Sequence, residues 1–502
     1  MTTSPTNLKR LLNDLDALKP ESQPLPPHTA SACDAHSRET YATFLATVLL
    51  SDAAISAAQS RVFKMLLASL QLGDAQGRLF ERAQAMDQDG LREFARVIGE
   101  NKLDFAFFTD ALVLSRLDAP LTETRQELIC ELADFLNFPK GDLSIAANLA
   151  AMILGLPLGA DVPIGIDSDK VAVWHDYLYC QLTAKSLATG KLTGWWEISE
   201  ALSVETAWSM ENAQIRFTED GSIKTKAMGV VSIDSCYLVR PIMEFIGDKG
   251  GVQKLTVRIN DSNISGCYAQ DAGSTAITFI NFFAKDDSPS SERYVKFNNL
   301  TVSTVNARSF LLFNVSATFD HCHFTDCGSP VLVGGAIMNL GNTSIEELYY
   351  RIYISNSSFV RCIAKLGGGV RAYCLHPNAI VNSSFEDCIS LAYHPNNIDK
   401  NLETFAFSGG AIFADRTKPV KVTSSIIGCN FNNTSVQLGY NDDGGSTVRS
   451  VTHSKFIASY VAYFGSTYHP TETCYYKNIL NNSGEISTSF EKYQRQDWWS
   501  KC

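Results

Sequence analysis

The chain has 502 residues, 45% hydrophobic and 19% charged, which provides for two or three folded domains and excludes wholesale disorder. Its formal net charge is −11 and it carries no basic run, so binding of nucleic acid through the phosphates is not expected. The 13 cysteines are an odd number, and in a reducing compartment they read as free, mostly buried thiols rather than a disulfide framework.

Residues 1–37 begin with Met1–Asn13, a polar stretch without an apolar core, so no secretory signal is expected and the protein is predicted to be cytoplasmic. No stretch approaches the roughly 20 apolar residues of a membrane span. Leu143–Gly159 is too short for that and reads as a buried helix. A short helix is expected near Asn7–Leu18, ended by a loop at Pro24, Pro26 and Pro27.

Residues 38–159 are rich in Ala, Leu, Gln, Glu and Arg, and Val62, Phe63, Leu66, Leu67 and Leu70 recur at helical spacing. An internal repeat is visible at an offset of 66, taken from Asp52 and Asp118 (118 − 52 = 66). It sets Ile55 on Leu121, Val62 on Leu128, Phe63 on Ile129, Leu66 on Leu132 and Leu70 on Leu136. Ser56 and Thr122 fall together as helix caps. Two such copies are expected to pack as a pseudo-symmetric bundle. At these residues the chain resembles the tellurite-resistance TerB family, whose helical domains carry two turns of the form Asp-Gly-x-apolar-x-x-x-Glu. Here the turns read Asp52-Ala53-Ala54-Ile55…Gln59 and Asp118-Ala119-Pro120-Leu121…Arg125. The aspartates and apolar residues match; the glycines and glutamates do not. The resemblance implies an all-α fold and a protein partner, and the missing carboxylates argue against its divalent-metal site.

Residues 160–249, with Trp174, Trp195, Trp196 and Trp208, are less periodic and read as a connector and the cap of a solenoid. From about Gly190 onward Ser, Thr, Asn, Val, Ile, Phe, Tyr and Gly dominate, and residues 250–490 are read as the solenoid itself. Gly-Gly-Ala-Ile occurs at Gly334–Ile337 and Gly409–Ile412, with Gly-Gly-Gly-Val at Gly367–Val370. Phe-x-x-Cys recurs at Phe324–Cys327, Phe359–Cys362 and Phe385–Cys388. Phrases recurring at tens of residues mean stacked units. Gly334, Gly335, Gly367, Gly368, Gly409 and Gly410 are expected at sharp turns, and Phe324, Cys327, Phe359, Cys362, Phe385 and Cys388 in a core ladder. Leu340–Tyr350 and Tyr393–Phe405 are read as inserted loops. Asn299, Asn314, Asn356, Asn382 and Asn433 match the glycosylation triplet, but turn asparagines are the reading adopted for them. The segment looks like a right-handed parallel β-helix of the pectate-lyase-like class, with repeats similar to those of chlamydial polymorphic outer-membrane proteins. The expected fold class is thus multidomain α plus β: an all-α bundle, then a parallel β-helix solenoid.

Candidate chemistry is sparse. His321-Cys322-His323…Cys327 holds metal-ligand types, yet alternate strand residues face opposite sides and zinc needs converging ligands. Asp286-Asp287 and Asp442-Asp443 lie in polar loops without the phrases of polygalacturonases or pectate lyases. No nucleophile elbow, phosphate loop or dinucleotide fingerprint is present. No metal, cofactor or catalytic residue is therefore assigned. Trp498 and Trp499, in the tail 491–502, and Trp195 and Trp196 are the binding candidates; the tail reads equally as a flap over the last coil. The expected function is a non-enzymatic interaction or sensor protein in a bacterial stress or phage-defence setting. In it the bundle docks a protein partner and the solenoid recognises a ligand, a polysaccharide among the options. The rivals are a carbohydrate-active enzyme and a component of a phage-tail-like assembly.

Overall fold

The computed structural model describes residues 24–438 apart from 52–53, 157–161, 167, 189, 227–228, 248–254, 268–274, 283–294, 341–351, 373–374, 391–410, 415–424, 428 and 433. Beyond Leu438 it describes only short strands between residues 450 and 487. The chain divides into a helical unit, Met1–Cys180, and a strand unit, Gln181–Cys502.

The longer helices described in the first unit are α1 (Ala35–Leu50), α2 (Ala57–Ser69), α3 (Gln76–Gln84), α4 (Gln88–Asn101), α5 (Asp104–Arg116), α6 (Glu123–Phe135) and α7 (Lys140–Ile153). α5 is buried throughout Phe105–Ser115, and α1 over most of Thr40–Leu49, as helices at the centre of a bundle must be, whereas the first turns of α1, with His36, Arg38 and Glu39, face outward. The rings of Phe44 and Phe94 stack at 3.7 Å, and Phe94 meets Phe107 edge-on at 4.8 Å. The repeat offset of 66 is written in the helix ends: α2 and α6 start at 57 and 123 and stop at 69 and 135. Ser56 and Thr122 cap them, accepting from the amides of Gln59 and Arg125. Each helix is then closed by a left-handed residue, Gln71 or Asn137. The following amide, of Leu72 or Phe138, bonds back to Leu67 or Ala133.

In the second unit neighbouring strands pair in parallel, in one sheet of 22 described strands and another of 10. The strands recur in threes. Val295–Asn298 and Thr301–Val305 join the large sheet and Arg308–Val315 the second. Ala317–Asp320, His323–Val333 and Ile337–Leu340 repeat that order. Each strand pairs with its counterpart in the next set: Phe297 with Phe319, Val302 with Phe324, Phe310 with Ile337. Alternate residues line one continuous apolar core. The parallel pairing already begins at Lys191–Ile198, against Ser209–Phe217. The described residues between 191 and 246, expected from the sequence to be a connector and the cap of the solenoid's first coil, pair in parallel ladders like those of the later sets. Two adjacent tryptophans break the alternation there and hide the strand from a period-two reading.

A bend closes each pair of large-sheet strands, and it is made by a residue with positive φ. Ser235, Asp261, Asn299, His321, Asn356 and Asn382 occupy this place in successive sets, with φ between 48° and 52°. Asn and Asp tolerate that conformation best. The next position is Cys or Ser in most sets, and its side chain serves two bonds. Ser357 Oγ donates to the Ser355 carbonyl (2.7 Å) and accepts from the Cys322 amide (3.0 Å). Ser262 repeats this with Asn260 (2.7 Å) and Cys236 (3.0 Å). Asn314 also has positive φ, and its amide reaches Asn281 inside the unit at 3.1 Å. Asn433 and the bulk of the two expected loop insertions lie outside the described residues.

Candidate interaction face and buried polar site

Outward-facing positions of the second sheet form columns, because each strand repeats its neighbour's register. One column runs Ile246, Ile280, Phe313, Leu340. The adjoining one runs Lys224, Glu244, Thr278, Leu311, Met338, Arg371. Between the strands Met243–Ile246 and Ile337–Leu340 six of these eight positions are apolar, Glu244 and Thr278 being the exceptions. Phe313 is 38% exposed, Met338 is buried, and Ile246, Ile280, Leu311 and Leu340 are partly exposed. On the large sheet the equivalent outward residues Asn263, Thr301, His323, Ser358 and Ser384 are polar. Contiguous exposed apolar surface on an otherwise polar unit marks an interaction site. The signal was present in the strands Thr275–Phe282 and Arg308–Val315, which are apolar at both alternating positions.

Of the binding candidates, Trp195 is 2% exposed and is not available as a surface anchor. Trp196 packs against the core of the strand unit, with its indole N–H on the Thr193 carbonyl at 2.8 Å. Trp498, Trp499, Gly409 and Gly410 lie outside the described residues. Gly334 and Gly367 have φ of +75° and +66°. At Gly335 an added Cβ would stand 2.1 Å from the Gly368 carbonyl oxygen of the next set, a contact only glycine permits. Phe324, Phe359, Phe385 and Phe431 stack face to face at 4.7, 4.7 and 5.3 Å. Cys327, Cys362 and Cys388 are buried, one position before the register pairs Gly328–Ile363 and Ile363–Ile389. Burial, and then hydrogen bonding to Cys327 and Cys388, pushes the Cys362 thiol well above its usual range. Burial likewise raises Cys236, Cys267 and Cys322 to about 12. Such thiols are poor nucleophiles. His321 and His323 are exposed, whereas Cys322 is buried. Among the described residues no three His, Cys, Asp or Glu side chains converge on a metal position.

The helical unit holds a polar constellation that no motif announced. Asp110, on the central helix α5, is fully buried. Its Oδ2 accepts from the Tyr41 hydroxyl (2.8 Å) and from His28 Nε2 (2.9 Å), and its Oδ1 from Trp174 Nε1 (2.7 Å). His28 Nδ1 accepts from the Ala30 amide at 2.9 Å, which puts the ring proton on Nε2. The carboxylate thereby ties together the segment before α1, α1 itself, and the residues following α7. Burial, and then Asp110, lifts the Tyr41 phenol well above its usual range. These groups satisfy one another's hydrogen bonds inside the bundle.

Gln59 and Arg125 stand at equivalent places in the two copies, and both are buried. Gln59 Nε2 donates to the Leu114 carbonyl at the end of α5 (3.1 Å). Arg125 donates to the Leu49 carbonyl at the end of α1 (2.8 Å). Each copy thus satisfies the C-terminal carbonyls of the other copy's central helix. Donors stand where the resembled turns carry glutamates, so the residues present do not fit a metal ion. A cleft of about 240 Å³ lies beside α1, lined by His36, Phe44, Arg82, Met86 and Glu93 among others. Its charged groups are already paired. Arg96 and then His36 hold Glu93 down to about 2, and Arg82 engages Glu39 at 2.9 Å.

No protein-family model, curated protein or solved structure matches the chain. Among the described residues no helix is long and apolar enough to cross a membrane.

Proposed function

We propose that this is a non-enzymatic interaction or sensor protein. In this reading a TerB-like bundle docks a protein partner, and a right-handed parallel β-helix presents a rigid recognition face. The observation that carries it is the apolar stripe Ile246–Ile280–Phe313–Leu340, which crosses a sheet whose strands are already fully paired. Rigid stacked strands hold such a surface in place without an ordering cost on binding. The three-strand recurrence supports the β-helix. The offset of 66, repeated at caps and helix ends, supports the TerB-like bundle. The resemblance to that family carries the reading into bacterial stress and phage-defence settings. On the helical unit, Tyr177, 52% exposed, and Phe135, 49% exposed at the end of α6, are the large apolar side chains left most open among the described residues.

The test is capture of partners from host lysate by the full chain, compared with Phe135→Asp and Phe313→Asp. A partner lost with one substitution only assigns the docking unit. Equal capture by all three forms, or no capture together with cleavage of a polysaccharide, would replace this reading by the carbohydrate-active one.

A further inference from the structure

We propose that the apolar stripe receives an amphipathic α-helix of a partner protein, laid across the strands, with an acidic residue at the end nearest Arg371. This rests on the interaction reading above and names the occupant. The first argument is spacing. Ile246, Ile280, Phe313 and Leu340 sit on four consecutive paired strands. Adjacent strands are about 4.8 Å apart, so the stripe is about 14 Å long. One turn of helix rises 5.4 Å, so apolar residues at i, i+3 or i+4, i+7 and i+11 meet these four side chains nearly in step. The second argument is width. The column Glu244, Thr278, Leu311, Met338 lies two residues away along the strands, about 7 Å, so that Leu311 and Met338 widen the stripe toward the roughly 10 Å diameter of a helix at the end nearest Arg371.

Charge sets the ends. The column closes on one side with the Lys224–Glu244 ion pair (3.2 Å) and on the other with Arg371, one strand beyond Met338. An acidic residue one turn past the last apolar contact meets the positive charge of Arg371. Other occupants fit less well. An extended peptide adds to a sheet through a free edge, whereas the strands under the stripe have partners on both sides. A second copy of the chain would bury about 250 Å² here per subunit, well short of the roughly 800 Å² of a stable interface.

The experiment is a selection from displayed random peptides of about 14 residues, long enough for about 21 Å of helix. The full chain is the target, and the Phe313→Asp and Leu311→Asp chains, checked for unchanged melting, are the counter-targets. Enriched peptides should carry apolar residues at three- and four-residue spacing with an acid beyond. Synthetic copies should become helical on binding and bind either substituted chain about tenfold more weakly, or worse. Replacing the peptide's acid by Lys should weaken binding to the native chain, and Arg371→Glu should restore it. Phe313-dependent peptides with period-two patterning would overturn the helix and leave the interaction face standing. The absence of any Phe313-dependent peptide, or concentration-dependent dimers abolished by Phe313→Asp, would overturn the proposal outright, and the former would also remove the observation on which the proposed function rests.

Discussion

Asp110→Asn is the substitution whose outcome the structure defines most tightly. The side chain is fully buried and both oxygens accept, from three donors at 2.7–2.9 Å. Asparagine keeps the volume but turns one acceptor into a donor. If the NH₂ faces Trp174 it meets an indole that can only donate. If it faces Tyr41 and His28, the tyrosine hydroxyl can turn to accept, but His28 cannot. Its Nδ1 is committed to the Ala30 amide, so Nε2 keeps the proton. Either way one buried donor loses its partner, which costs about 1–3 kcal/mol, and a charge-assisted bond worth about 1.5–3 kcal/mol goes with it. The expected loss is about 3–5 kcal/mol, in the range for breaking a buried polar network at one member. For a unit of this size that lowers Tm by roughly 6–20 °C. The assay is thermal melting followed by circular dichroism at the helix band. Trp174 fluorescence serves as a local probe, since the other five tryptophans lie in the strand unit. The exposed Asp118→Asn is the control. A helical-unit Tm within about 2 °C of the native chain would refute the assigned protonation and the tying role of Asp110.

Tyr41→Phe tests the same cluster through pH. Because the folded-state phenol titrates well above the usual 10, the unfolded chain releases this proton first as pH rises. The stability it contributes is therefore present below about pH 10 and lost above it. The native chain should weaken more steeply than Tyr41→Phe from pH 10 upward, and parallel curves would refute the assignment. Gly335→Ala should cost about 3 kcal/mol, the upper end for overpacking, because the obstacle is the backbone carbonyl of Gly368; a chemical melt that does not move would rule out the close approach. Phe359→Ala should cost about 3–5 kcal/mol, since Phe359 stacks at 4.7 Å on both Phe324 and Phe385; a loss under about 1 kcal/mol would deny the stack. Iodoacetamide at neutral pH should label Cys130 and Cys180, which are exposed, and spare Cys236, Cys267, Cys322 and Cys362 until denaturant is added, as peptide mass mapping can show.

The change from helices to parallel strands was legible because it is a change of period and composition, and each is imposed locally. The bends were legible for a similar reason. A left-handed residue after every short strand favours Asn or Asp, and Asn299, Asn356 and Asn382 advertise it. His321 fills the same place beside Asp320, at 3.0 Å, but histidine signals a turn less plainly than asparagine. The Asp110 cluster could not be read at all. His28 and Asp110 are 82 residues apart and meet only when the bundle closes. Trp195 illustrates the opposite error: a tryptophan stands out in a sequence, but its exposure is decided by packing, and here it is buried. The apolar face lay between these cases. Strands apolar on both sides say that two surfaces need cover, but they do not name the cover.

The two copies in the helical unit show why the loss of a motif residue can be informative. The resembled turns end in glutamates, and here the equivalent places hold Gln59 and Arg125. A carboxylate at either place would face the free carbonyls at the end of the opposite central helix, oxygen against oxygen, at the negative end of that helix. Gln59 and Arg125 instead bring N–H donors to Leu114 and Leu49 at 3.1 and 2.8 Å. The contact made by one copy is matched by the contact made by the other, each closing the other's helix, and the pair is an internal fastening between repeats. The two repeats of the helical unit are thereby held together by their own hydrogen bonds.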